Sequence, residues 1–168
     1  MHKIGEESVY EGRILDLKIE HYELDGKILK RELVVHKDAV AILPVDNQGY
    51  TYLVKQYRSA IKDYVLEVPA GLVEDGEDYE EAALRELQEE VGFTAKNLEK
   101  VFQGYNSVGF CTKKTTVYIA NDLSVSKLPE DDDEDIEIVK IHIDDLKQMY
   151  YEGKIKDFKT AIAILNHN

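Results

Sequence analysis

The stretch GLVEDGEDYEEAALRELQEEVGF, Gly71 to Phe93, decides the reading of this chain. From Asp78 to Val91 the apolar residues Ala83, Leu84, Leu87 and Val91 recur at helical spacing and share one face, and Gly92 stands where such a helix ends. Successive helical residues turn by about 100°, so Glu86 and Glu90 lie about 40° apart with Glu89 beside them. The helix thus has a core face and an anionic face. Like charges at this spacing disfavour a helix by about 0.2–0.5 kcal/mol per pair. Glu89 and Glu90 also fall in the last turn, where the helix dipole disfavours negative charge. A bound divalent cation reverses both effects. Mg²⁺ suits the spacing, because it takes one or two protein carboxylates and completes its shell with water and substrate phosphate oxygens. Taken alone, a run of acids is more often a solvated helix face.

Outward from this segment the chain reads as strands. Leu15, Leu17 and Ile19 alternate with polar residues, Asp25-Gly26 is a hairpin signal, and Ile28 to Val35 returns, so residues 8–36 are expected to form a strand pair. Ala39–Val45 and Tyr50–Gln56 are expected to form another, around Asp46-Asn47-Gln48-Gly49. Tyr64–Val68 leads into the loop Pro69-Ala70-Gly71. Downstream, Leu98–Gly104, Thr115–Ala120 and Ile136–Ile143 read as strands, with short helices over Asp144–Tyr151 and Asp157–Leu165. Many strands among few helices predict a mixed α/β (α+β) sandwich rather than a doubly wound parallel sheet.

Composition narrows the function. The 168 residues carry 34 acidic and 21 basic side chains, a net charge of −13, which argues against a general nucleic-acid binder and leaves polyanionic small molecules acceptable only if metal ions offset the charge. The longest apolar run, Ala39 to Val45, is broken by Pro44 and is far short of the about 20 residues a membrane helix needs. The first residues, Met-His-Lys-Ile-Gly-Glu-Glu, lack the apolar centre of an export signal. Cys111 is the single cysteine, so a reducing, cytoplasmic setting is expected. The five histidines show no metal-ligand spacing.

The decisive segment fits a fixed template: Gly71, five residues, Glu77, seven residues, Arg85-Glu86-Leu87, one residue, Glu89-Glu90, one residue, Gly92-Phe93. From composition, such a coincidence has a chance on the order of 10⁻⁸ per starting position. The template resembles the signature of the Nudix hydrolase family. Lys30-Arg31-Glu32, Lys55-Gln56-Tyr57-Arg58, Glu67-Val68-Pro69-Ala70-Gly71 and Glu152-Gly153-Lys154-Ile155-Lys156-Asp157 extend the resemblance over nearly the whole chain, to the ADP-ribose pyrophosphatase-like branch.

The resemblance implies a Nudix α/β/α sandwich with mixed sheets over residues 39–168, preceded by an N-terminal β extension over residues 1–38 that mediates a homodimer and contributes substrate contacts. It implies metal ligation by Glu86, Glu90 and Glu89, with the Ala70 carbonyl as a further ligand, at a bend where Gly71 lets the chain pass closely. Arg85 and Glu77 are similar to a pair that braces this loop–helix–loop, and Gly92 is a helix stop. Arg58 matches a substrate-phosphate arginine, a role suited to a planar fork of donors, and Arg31 a substrate contact with the partner subunit, the alternative being ordinary surface. Of the acid run Glu130 to Asp135, Glu134 fits a metal ligand and Asp132 a catalytic base, although relatives often carry the longer glutamate at the latter position.

The expected activity is Mg²⁺-dependent hydrolysis (Mn²⁺ as substitute) of ADP-ribose to AMP and ribose 5-phosphate, or of a related nucleoside diphosphate derivative. The alternatives are another nucleotide sugar, a dinucleoside polyphosphate, or a catalytically silent ADP-ribose-binding module. In the loop Tyr105-Asn106-Ser107-Val108-Gly109-Phe110, Val108 stands where many ADP-ribose hydrolases carry proline, so less restraint on φ is expected there.

Overall fold

The structure, a computed structural model, describes residues 1–129 and 136–167. They divide into two compact units. One comprises residues 1–38 and 104–115, the other residues 39–103 with the described part of 116–168.

The first unit is built on three antiparallel strands, β1 (His2–Glu11), β2 (Leu15–Leu24) and β3 (Lys27–His36), in the order β1-β2-β3. Asp25 and Gly26 both take positive φ, 52° and 74°, the backbone a two-residue turn needs to match strand twist. The expected strand pair is therefore present as β2 and β3, and β1 is an addition to it. Irregularities between Lys3 and Gly5 and between Ser8 and Tyr10 interrupt the side-chain alternation of β1, which removes the period-two signal. The 104–115 stretch joins this unit by pairing with β3: Val34 N–H donates to Phe110 O at 2.7 Å and Thr112 N–H to Val34 O at 3.0 Å.

The second unit contains β4 (Ala39–Pro44), β5 (Tyr50–Arg58), β6 (Asp63–Glu67), β7 (Ala70–Leu72), α1 (Tyr79–Glu90), β8 (Phe93–Tyr105), β9 (Lys114–Val125), β10 (Ile136–His142), α2 (Ile143–Tyr151) and α3 (Phe158–Asn166), with the ends of β8 and β9 running on into residues 104–115. Its strands form two sheets, β7-β4-β9-β8 and β10-β5-β6. Ala39–Val45 and Tyr50–Gln56 consequently do not pair as expected. The turn between them is present, but only a single bridge, Val45 to Thr51, links its arms. The central strand β4 is flanked by β7 and β9, which leaves it no edge for β5.

β4 is buried on both faces. Ala41, Leu43 and Val45 pack with Val117 and Ile119 of β9 and with Ile143, Leu146, Ala163 and Ile164 of α2 and α3. Val40 and Ile42 pack with Tyr118 and Ala120 and with Ala82, Ala83, Leu87 and Val91 of α1 and its end. Alternation along two central strands thus feeds two apolar layers, and helices cover each: an α/β/α sandwich. Among the described residues, no helix is long and apolar enough to cross a membrane.

Candidate functional site

Helix α1 sets the site. Asp78 caps it, its side chain accepting from Glu80 N–H at 2.8 Å, and Glu80 and Glu81 occupy the first turn, where the dipole favours them. No basic residue balances the last turn. Fully buried Ala82, Ala83 and Leu87 press the helix onto the sheet, and this orientation also buries Glu86 and Glu90, which are 9% and 3% exposed. Two acids on the covered side of a helix are costly unless their oxygens are engaged. Glu90 Oε2 accepts the Ala70 N–H at 2.9 Å. Glu86 lies against Gly71 so closely that a β-carbon there would meet its carboxylate oxygens at 1.9 and 2.2 Å. Ala70 and Gly71, expected in a loop, instead belong to strand β7 and pair with Ala41 and Val40 of β4, which gives that short segment a sheet partner, and Ile42 N–H donates to Pro69 O at 2.9 Å.

Arg85 ties these parts together. Its Nε and Nη2 donate to Glu77 Oε1 and Oε2 at 2.9 and 3.0 Å, and Nη2 also donates to Leu72 O at 2.9 Å. Nη1 donates to Glu86 Oε1 at 2.7 Å and Glu89 Oε2 at 2.9 Å. One guanidinium therefore links the end of β7, the turn before α1 and two acids of α1. The Glu77 hydrogen bonds, and then those of Glu86 and Glu89, push Arg85 well above the ordinary arginine range. Glu77, hydrogen-bonded by Arg85 and by Glu74 N–H, is held below the usual carboxylate range. Gly92 takes φ 77°, the left-handed conformation that follows a helix end, and its carbonyl accepts from Ser126 N–H.

Among the described residues, no three His, Cys, Asp or Glu side chains are gathered closely enough to cage a cation unaided. The donors nevertheless fit a hard divalent ion. Glu86 and Glu90 offer carboxylate oxygens beside the Gly71 backbone, an oxygen-only donor set that water and phosphate oxygens would complete around an ion. Such a set meets Mg²⁺ or Mn²⁺ rather than a metal that selects sulfur or imidazole.

Arg58 lies at the end of β5, with Glu67 at the end of the neighbouring β6. Its Nε and Nη2 donate to Glu67 Oε1 and Oε2 at 2.6 and 2.8 Å, a bidentate pair. Glu67 is only 3% exposed, and Lys159 Nζ donates to its Oε2 as well. Burial alone would raise Glu67, but the Arg58 hydrogen bonds and the Lys159 charge outweigh it and hold the group below the usual carboxylate range. Arg58 is raised chiefly by the Glu67 hydrogen bonds, and the charges of Asp157 and Glu90 add to this, which places Arg58 in the field of the α1 acids. Glu67 and Lys159 were not singled out as site residues from sequence. A lone acid at the end of the apolar strand Tyr64–Val68 was the available signal for the first, and Lys159 had none.

Arg31 belongs to the first unit. With Ile19, Lys30, Glu32, Gly109 and Phe110 it lines an open recess of about 410 Å³, and its Nη1 donates to Lys30 O. The loop holding Val108 is tied down despite the absent proline, because Phe110 N–H and Cys111 N–H both donate to Ser107 O. Val108 itself is 86% exposed. Asp132 and Glu134 lie outside the described residues.

The NUDIX domain family profile matches residues 35–160. An ADP-ribose pyrophosphatase of Bacillus subtilis (strain 168) is 41% identical over 164 residues, 96% of this chain and 89% of that protein. A methanol dehydrogenase activator of Bacillus methanolicus is 35% identical over the same shares of both chains. A crystal structure of an ADP compounds hydrolase superposes with a TM-score of 0.87 at 24% identity, covering 98% of this chain and 90% of the other, a likeness of fold.

Proposed function

The chain belongs to the Nudix hydrolase family, and from that premise we propose that it hydrolyses the diphosphate bond of ADP-ribose to AMP and ribose 5-phosphate in a Mg²⁺-dependent reaction, with Mn²⁺ as substitute. The observation that carries the proposal is the contact of buried Glu86 and Glu90 with the Ala70–Gly71 backbone. Evolution toward stability alone has no use for two acids in that position, whereas a diphosphate-binding cation does. The 41% identity to an ADP-ribose pyrophosphatase over 96% of the chain supports the choice of substrate.

In this reading Glu86, Glu90, Glu89 and the Ala70 carbonyl hold the metal. When bound, the metal supplies charge compensation for the diphosphate and lowers the pKa of water. The chain's own residues do the positioning. Arg85 and Glu77 keep the α1 acids aligned with the loop, and Arg58 meets the substrate phosphates. Glu89, Asp132 and Glu134 are the acids assigned to accept the proton of the attacking water, with Glu134 also a ligand. Arg31 is the substrate contact that the N-terminal extension would supply to the partner subunit. That extension, residues 1–38, is the proposed dimerisation element, and the lone Cys111 fits a reducing, cytoplasmic setting.

Two measurements test the core of this. Purified protein incubated with ADP-ribose and Mg²⁺ in isotopically labelled water is expected to release AMP and ribose 5-phosphate with label in one of them, and no product would defeat the proposal. The Glu90→Gln variant should lose roughly 100-fold or more in kcat, since several kcal/mol of charge stabilisation depend on the bound ion. Near wild-type turnover at saturating Mg²⁺ would remove the assigned metal site.

A further inference from the structure

The N-terminus of α3 reaches Glu67 and Val68 at the end of β6, just before Ala70 of β7. Asp157 caps the helix: its Oδ2 accepts Thr160 N–H at 2.9 Å and Thr160 Oγ1 at 2.6 Å. The same Thr160 Oγ1 accepts Val68 N–H at 2.9 Å, two residues before Ala70. Between them Lys159 turns its Nζ onto Glu67 Oε2 and, at 3.0 Å, onto Asp157 Oδ1. Glu67, held by Lys159 on one side, grips Arg58 on the other.

We propose that Lys159 is a positioning residue for substrate binding, acting through Glu67 to fix the guanidinium of Arg58. Three features favour a positional role over a purely structural one. The clamp uses Nε and Nη2 of Arg58, which leaves Nη1 outside it on a side chain that is 44% exposed. A guanidinium gripped along its Nε–Nη2 edge has a fixed plane and presents its remaining Nη1 and Nη2 hydrogens in a set direction, the geometry a bidentate phosphate contact needs. Secondly, Lys159 is itself only 14% exposed, and a long flexible cation is enclosed there at a cost in side-chain entropy. Thirdly, the formal charges of Arg58, Glu67, Lys159 and Asp157 sum to zero, so the cluster offers a distant anion no attraction by net charge. What it supplies is orientation. Without Lys159, Glu67 Oε2 loses one of its two cationic donors, and the carboxylate that sets the plane of Arg58 is no longer fixed from its far side.

This inference rests on the reading of Arg58 as a phosphate contact, so the test separates the two. Calorimetry in excess Mg²⁺ would measure ADP affinity for the wild type, Lys159→Met, Lys159→Arg, Arg58→Met and the Lys159→Met/Arg58→Met double variant. Thermal melts accompany each to confirm folding. Lys159→Met should weaken ADP about 10-fold or more, in the range typical for residues that orient a ligand group. Lys159→Arg, which keeps the cation, should restore most of the affinity. In the Arg58→Met background the Lys159 substitution should change affinity by less than about twofold, because residues acting through one another are not additive. Equal losses in both backgrounds, or no loss in Lys159→Met, would overturn the role of Lys159. An Arg58→Met protein that binds ADP as well as the wild type would overturn the phosphate role of Arg58 itself, and the inference with it.

Discussion

Gly71 is the residue at which backbone geometry and chemistry meet. The space a β-carbon would need is filled by the Glu86 carboxylate, with Cδ 2.0 Å from the ideal position. This carboxylate belongs to a buried side chain and is held by Arg85, so it cannot swing aside as an exposed one could. The Gly71→Ala variant should therefore displace Glu86 and lower kcat for ADP-ribose by about 10–100-fold, the cost typical of disturbing the shell around a metal ligand. Steady-state kinetics across a Mg²⁺ titration would check it, and unchanged Mg²⁺ dependence would contradict the assigned contact. At this scale the sequence was most legible. Glu86, Glu89, Glu90, Arg85 and Glu77 sit on one helix and its preceding turn, where spacing alone sets neighbourhood. Glu67 and Lys159 were not legible, because their meeting spans 92 residues of chain.

At the scale of the element, α1 must hold its acids in place without a favourable last turn. Its stability comes from the Asp78 cap, the acidic first turn and the burial of Ala82, Ala83 and Leu87. Asp78→Ala should cost about 1 kcal/mol of unfolding free energy, the usual loss for an N-cap. Urea denaturation would show it as a shift in midpoint with an unchanged slope. The helix periods of α1, α2 and α3 were all readable, within a residue or two at each end. β1 was not, because its irregular register destroys alternation. Nor did the apolar run before Asp46 announce that it would leave its neighbour for another sheet. Apolar character predicts that a strand is buried, and says little about which strands lie beside it.

For the whole molecule, the paired acids bear on how stability depends on pH. Glu67 and Glu77 both have folded-state pKa values below the ordinary carboxylate value, the first despite burial through Arg58 and Lys159, the second through Arg85. A group depressed in the folded state contributes stability that is fully present above its unfolded pKa of about 4.3 and is lost as the pH falls through the lower folded value. The contribution of these two groups should thus be level from neutral pH down to about 5 and fall below about 4 as the unfolded chain takes up protons first. Urea midpoints measured between neutral and acid pH would show this, and the acid slope should be shallower in Glu67→Gln. An unchanged slope in that variant would mean Glu67 is not held charged by its partners. The same ion pairs knit α3 to β5 and β6 within the second unit, so this pH dependence reports on their packing as well as on individual groups.

The sequence by itself determined the amphipathic helix with its stripe of acids and the mixed α+β class, through local periodicity, and the family, through the fixed spacing of its motif, from which the α/β/α arrangement followed by resemblance. Only the tertiary structure decided that Glu86 is seated on Gly71, that Glu90 accepts the Ala70 N–H, and that Lys159 backs Glu67 against Arg58. Those contacts join segments distant in the chain, and their distances follow from how sheets and helices pack, which residue spacing does not encode.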